Sequence, residues 1–218
     1  SFDLGDPYTV YIVGNRRVQF GWAWNFQRDL IVSSDKKRVT YRKPEGGEDT
    51  YALDVSNTFQ AVRPDDTKKL TQPGGPGNDL LLTDKSGYQL RFHLADVLPG
   101  TPATPRRAFL TQESDFHGNT LQYTYFDIGS GMFVNKITAN NGQSVTMRWS
   151  DVTTDPNGAH TDPAGFHYSR LASVTDHANR TVTYNYQTVP DPAFPYLALL
   201  DTINQPGGRT LTNHYDMA

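Results

Sequence analysis

Two groups of side chains in this chain have types that could do chemistry. The stretch from Asp155 to His167 gathers Asp155, Asn157, His160, Asp162 and His167, donors that suit a hard cation or zinc. Their spacing is neither that of a calcium loop nor the His-x-x-x-His of a helical zinc site. A plain surface loop accounts for the same residues, so no metal and no cofactor is expected. The second group is carboxylates. Asp65 with Asp66, Glu113 with Asp115, and Asp151 with Asp155 could supply the acid and base of a glycoside hydrolase. Yet Asp at a turn mostly accepts backbone N–H groups, and Asp84, Asp115 and Asp176 each open a turn-like segment. His117 follows Asp115 by two positions and His177 follows Asp176 directly, and this recurrence within the turns points to turn structure. There is no Gly-x-Ser-x-Gly elbow. Gly74-Gly75-Pro76-Gly77 lacks the Lys-Ser/Thr of a phosphate loop. Trp22 and Trp24 could stack on a sugar, although aromatic residues at alternate positions are more often core.

The elements that would position these groups are strands. Tyr (12) and Phe (11) are abundant, and pleated, half-buried surfaces favour such residues. Gly (18) and Pro (14) punctuate the chain at turns. No segment holds a 3.6-residue apolar period over three turns, so very little helix is expected. The net charge of −3 and the lack of a basic stripe give no footprint for nucleic acid. Without cysteine there are no disulfides and no thiolate-bound zinc. No apolar run approaches the roughly 20 residues that span a bilayer. The first residues lack the pattern of a signal peptide.

One pattern recurs: a polar turn with Gly or Asn, then apolar residues at alternate positions. Asp84-Lys85-Ser86-Gly87 leads to Leu90, Phe92 and Leu94, and Asp115-Phe116-His117-Gly118-Asn119 leads to Leu121, Tyr123 and Tyr125. Asn140-Asn141-Gly142 leads to Val145, Met147 and Trp149. Asp176-His177-Ala178-Asn179 leads to Val182, Tyr184 and Tyr186. Pro206-Gly207-Gly208 leads to Leu211 and then Tyr215. Leu82, Ile137, Val174 and Ile203 each lie five residues before the turn position, where the second copy has Glu113. Each unit reads as a β-hairpin with one apolar face, and its turn needs φ > 0. A lone hairpin is marginal in water, so neighbours must pair laterally. Insertions at 96–105, 151–165 and 190–195 read as surface loops.

The D-x-x-G-N-x-L-x-Y-x-Y order of Asp115–Tyr125, its variant at Asp176–Tyr186, and the closing Tyr215-Asp216 resemble the YD repeat of the Rhs family. Phe20-Gly21-Trp22-Ala23-Trp24 is similar to the aromatic strand that opens the repeat region in many members. The resemblance implies an all-β fold of consecutive antiparallel hairpins in a curved, spiralling sheet, part of a β-shell. It divides the chain into a leading β segment (1–80) and the repeat hairpins (81–218). It also implies that the chain is a non-enzymatic piece of a longer, secreted or surface-delivered bacterial protein. The shells of Rhs proteins, of Tc toxin B and C components and of teneurins are built this way, and the bacterial ones enclose a C-terminal toxin. The implied partners are the remaining YD repeats, the toxin cargo and a secretion-system component, with self-association through a sheet edge. One departure matters: the self-cleaving Asp-Pro-x-Gly-x-x-Gly-Gly motif is represented only by Asp162-Pro163-Ala164-Gly165. A surface module that binds carbohydrate or protein is the alternative, and a hydrolase with paired carboxylates is the third reading.

Overall fold

The computed structural model describes residues 11–13, 16–18, 28–33, 35–43, 47–73, 79–94, 106–127, 132–151, 169–188 and 198–214. Among them the fold is all-β and antiparallel, with no helix. Two compact units divide the chain: Trp22–Tyr123 with Ser1–Gly5, and Thr124–Ala218 with Asp6–Gly21. The second unit thus includes the small hairpin of β1 (Tyr11–Val13) and β2 (Arg16–Val18).

Unit 1 holds β3 (Asp29–Val32), β4 (Arg38–Arg42), β5 (Glu48–Leu53), β6 (Phe59–Ala61), β7 (Lys69–Thr71), β8 (Asp79–Thr83), β9 (Gln89–Leu94) and β10 (Arg106–Ser114). Residue 80, where the sequence divides the leading segment from the repeats, lies within β8. The pairing runs β6-β5-β4-β3-β10-β9-β8-β7. Its two end strands, β6 and β7, are consecutive in the chain and touch. The sheet therefore curls on itself. Tyr41 of β4 and Phe92 of β9 meet edge to face with ring centroids 6.0 Å apart, although two strands lie between them in the sheet. Alternation sends Leu30, Val32, Val39, Tyr41, Tyr51, Phe59, Leu70, Leu80, Leu82, Leu90, Phe92, Ala108 and Leu110 into one core. Each fully buried Leu contributes about 1.5–3 kcal/mol.

β10 is shared. Along one edge it pairs with β9 over Ala108–Ser114, with a register shift between Leu110 and Gln112. Along the other, Arg106–Phe109 pair with β3, while Gln112–Ser114 pair with β11 (Thr120–Asp127), which begins in unit 1. Unit 2 continues from the end of β11 through β12 (Met132–Ala139), β13 (Ser144–Asp151), β14 (Ser169–Asp176), β15 (Thr181–Thr188), β16 (Ala198–Asn204) and β17 (Thr210–Thr212), each hydrogen-bonded to the next. Its buried side chains are Phe133, Val134, Met147, Leu171, Tyr184 and Leu200.

Candidate functional site

The repeated turn is built the same way six times. With its first residue called i, the N–H of i bonds the carbonyl of i+4, and the N–H of i+3 bonds the carbonyl of i. This holds for i = Asp54, Asp84, Asp115, Ala139, Asp176 and Gln205. In every case the residues i−1 and i+5 are strand partners. The loop is thus three residues long, a β-turn followed by one left-handed residue. That residue is Asn57, Gly87, Gly118, Gly142, Asn179 or Gly208, with φ between 57° and 85°. Pro206 and Gly207 (φ 85°) fit the second and third positions of a type II turn. The φ > 0 that the sequence required of the turn is thus met by a turn with a bulge.

The Asp residues have a defined task. Oδ1 of Asp54, Asp84, Asp115 and Asp176 accepts the backbone N–H of i+2 and i+4, at 2.8–3.0 Å. Their carboxyls are held below the ordinary Asp range. The largest cause is the Thr58 amide for Asp54, the Ser86 hydroxyl for Asp84, the Asn119 side chain for Asp115 and the Arg180 amide for Asp176. The turn at Asp54 was not singled out in the sequence. There the buried apolar residue, Phe59, follows the left-handed residue by two positions, not three.

Beyond the turn the hairpins β12–β13, β14–β15 and β16–β17 open, and one side chain fills each fork. The β12–β13 ladder ends at Lys136 and Thr146, and the indole N–H of Trp149 then donates to the Val134 carbonyl at 2.8 Å. The β14–β15 ladder ends at Ser173 and Thr183, and the Tyr186 hydroxyl donates to the Leu171 carbonyl at 2.9 Å. The β16–β17 ladder ends at Thr202 and Thr212, and the Asn213 amide donates to the Leu200 carbonyl at 2.9 Å. Register shifts precede Trp149 and Tyr186 on the side facing the next strand. Tyr184 is buried and Tyr186 half-buried; Tyr123 and Tyr125 have the same burial in β11. Aromatic residues at these two positions therefore have different jobs, core filling at the first and fork filling at the second.

The copy with Glu113 in place of an apolar residue builds a different arrangement. Glu113 is 7% exposed. Its carboxylate takes a 2.8 Å ion pair from Arg28 and hydrogen bonds from the hydroxyls of Tyr88 and Tyr123. This node lies where β10 exchanges β3 for β11 as its partner. Burial and the bond to Glu113 push the Tyr123 phenol up. Burial alone would lower Arg28, but the Glu113 charge carries it above its ordinary value. A second network follows in the same unit. The Asp49 carboxylate, 4% exposed, pairs with Lys43 and Lys68, both at 2.8 Å. Asp66 accepts from the Tyr51 hydroxyl at 2.6 Å and lies 3.4 Å from the Lys68 ammonium. Against its own burial, the two lysines hold Asp49 below the ordinary carboxylate range.

The two networks border a cavity of about 230 Å³, lined by Arg28, Tyr41, Lys43, Lys68, Leu82, Asp84, Tyr88 and Leu90. Its wall presents three cations, and of its lining residues only Asp84 carries a carboxylate. Of the proposed carboxylate pairs, Asp65 with Asp66 and Glu113 with Asp115 are engaged elsewhere, and Asp155, the partner of Asp151, lies outside the described residues. Asp65 is exposed near Arg63, while Asp66 is tied to Tyr51 and Lys68. Glu113 sits in its node, whereas Asp115 caps a turn. Asp155, Asn157, His160, Asp162, His167, Trp22, Trp24 and Tyr215 lie outside the described residues. Among the described residues, no group of three or more His, Asp or Glu is placed to hold a metal ion. None of them forms a helix long and apolar enough to cross a membrane.

No family model and no curated protein sequence matches the chain. Solved structures do. The N-terminal domain of the effector protein SpvB from Salmonella typhimurium strain LT2 is similar at 11% identity and a TM-score of 0.55, over 89% of each chain. A porin-like protein from Bacteroides uniformis ATCC 8492 aligns at 12% identity over 85% of this chain and 91% of that one, with a TM-score of 0.29. The first likeness is one of fold, and the second is too weak to carry an argument. This chain is thus an all-β protein whose fold is similar to that of an effector's N-terminal domain.

Proposed function

We propose that the chain is a structural, non-enzymatic piece of a YD-repeat shell that encloses a C-terminal toxin or effector domain in a secreted or surface-delivered bacterial protein. The observation that carries this reading is the recurrent hairpin, with one hydrogen-bond pattern and one register in six places among the described residues. In unit 2 each outgoing strand also pairs with the next incoming one. Such a unit extends by simple addition, as a wall must. The fork-filling Trp149 and Tyr186 let the strands splay without leaving carbonyls unpaired, so the sheet can bend. The similar SpvB structure is an N-terminal domain of an effector, which agrees with a place ahead of further chain. In this reading the partners are the remaining repeats, the enclosed cargo and a secretion-system component.

Sequencing the gene on both sides of this segment tests the reading. Further hairpin units with the Asx-x-x-Gly turn, followed by an unrelated domain, are the expected result. A gene without additional units overturns enclosure. The hydrolase reading gains no support from Glu113 and Asp115, because the first is held in an ion pair and the second caps a turn.

A further inference from the structure

The cavity of unit 1 has an unusual division of charge. Its cations line the space, while the anions that hold them lie behind. Arg28 is anchored by Glu113, Lys43 by Asp49, and Lys68 by Asp49 and Asp66, and none of these three carboxylates lines the cavity. Asp84, which does line it, has its Oδ1 engaged by the Ser86 and Tyr88 amides and the Ser86 hydroxyl. The wall therefore presents one guanidinium and two ammonium groups against one carboxylate, with the Tyr41 and Tyr88 hydroxyls beside them. Leu82 and Leu90 supply an apolar floor between the charged groups.

We propose that this cavity binds a small organic carboxylate, its head held by Arg28, Lys43 and Lys68 and its short apolar body resting on Leu82 and Leu90. The volume, about 230 Å³, is below that of a site for a drug-sized ligand and suits a compact molecule. Anchoring from behind makes the cations rigid, so little side-chain freedom is lost on binding. Because the anchors already offset much of the positive charge, a dissociation constant of about 0.1–1 mM is expected. Neither the enclosure of a cargo nor the repeat pattern enters this inference.

The test is a titration of the protein followed by methyl and amide NMR shifts, with benzoate as the probe and benzyl alcohol as its uncharged counterpart. The expected result is saturable shifts at the Leu82 and Leu90 methyls with benzoate, and at least tenfold weaker binding of benzyl alcohol. Lys43→Gln, which leaves Asp49 its Lys68 partner, should weaken benzoate about tenfold while the remaining spectrum stays folded. Should that variant unfold, the comparison of the two probes on the unaltered protein decides alone. Equal binding of both probes, shifts confined to other residues, or no saturation by roughly 10 mM overturns the proposal.

Discussion

Single residues set the turn. Gly142 has φ 85°, and a Cβ built there meets nothing within 4 Å. The cost of Gly142→Ala is therefore that of the backbone alone, about 1–2 kcal/mol, and urea unfolding should show it. Asn179→Gly should be neutral or slightly stabilising, since Gly adopts the same φ (61°) without a Cβ clash. The four turn carboxyls make a pH prediction. Asp54, Asp84, Asp115 and Asp176 hold protons less readily folded than unfolded. Their contribution is complete above the unfolded Asp range near pH 4 and is lost as pH falls through the lower folded values. Thermal melts should be level from about pH 7 to 5 and should fall below about pH 4. Replacing the four Asp with Asn should flatten the acid limb, and salt should shrink the effect because the groups are exposed. The turn was legible in the sequence wherever apolar residues kept phase with it, and it escaped notice at Asp54, where Phe59 arrives one position early. Glu113 was visible there only as a break in the pattern; its partners Arg28 and Tyr88 come from distant segments.

At the scale of elements, alternating apolar residues show which positions face inward but not what each inward residue does. Met147 and Tyr184 fill the core, whereas Trp149 and Tyr186 complete hydrogen bonding where two strands part. Trp149→Phe keeps most of the apolar contact, including the packing on Phe133 at 4.9 Å, and removes the donor to Val134. Tyr186→Phe does the same to Leu171. Each should cost about 1–2 kcal/mol and should speed amide exchange at the mouth of its own hairpin. Unchanged stability and unchanged exchange in both variants would contradict this division of labour. Local pairing between consecutive strands follows from the turns, so those hairpins could be read from sequence. The ladder between β3 and β10 could not, because nothing local links Asp29–Val32 to Arg106–Phe109.

At the scale of the whole molecule, unit 1 depends on long-range pairing and unit 2 on repetition. The Glu113 node joins β10 to the segments before β3 and β9 and to β11. Glu113→Gln removes the partner charge of half-buried Arg28 and should cost unit 1 about 2 kcal/mol, read as a lower first transition if the two units melt separately. The lining of the cavity was beyond reach of the sequence for the same reason: Tyr41 and Leu90 become neighbours only when the sheet curls. The central claim is that these hairpins form a wall around other chain. Cryo-electron microscopy of the full natural polypeptide tests it most directly. This segment should continue into further hairpins of a closed shell, with additional density against the inner face of its sheet. A map in which unit 2 stands alone, with solvent on both faces of its sheet, would contradict it.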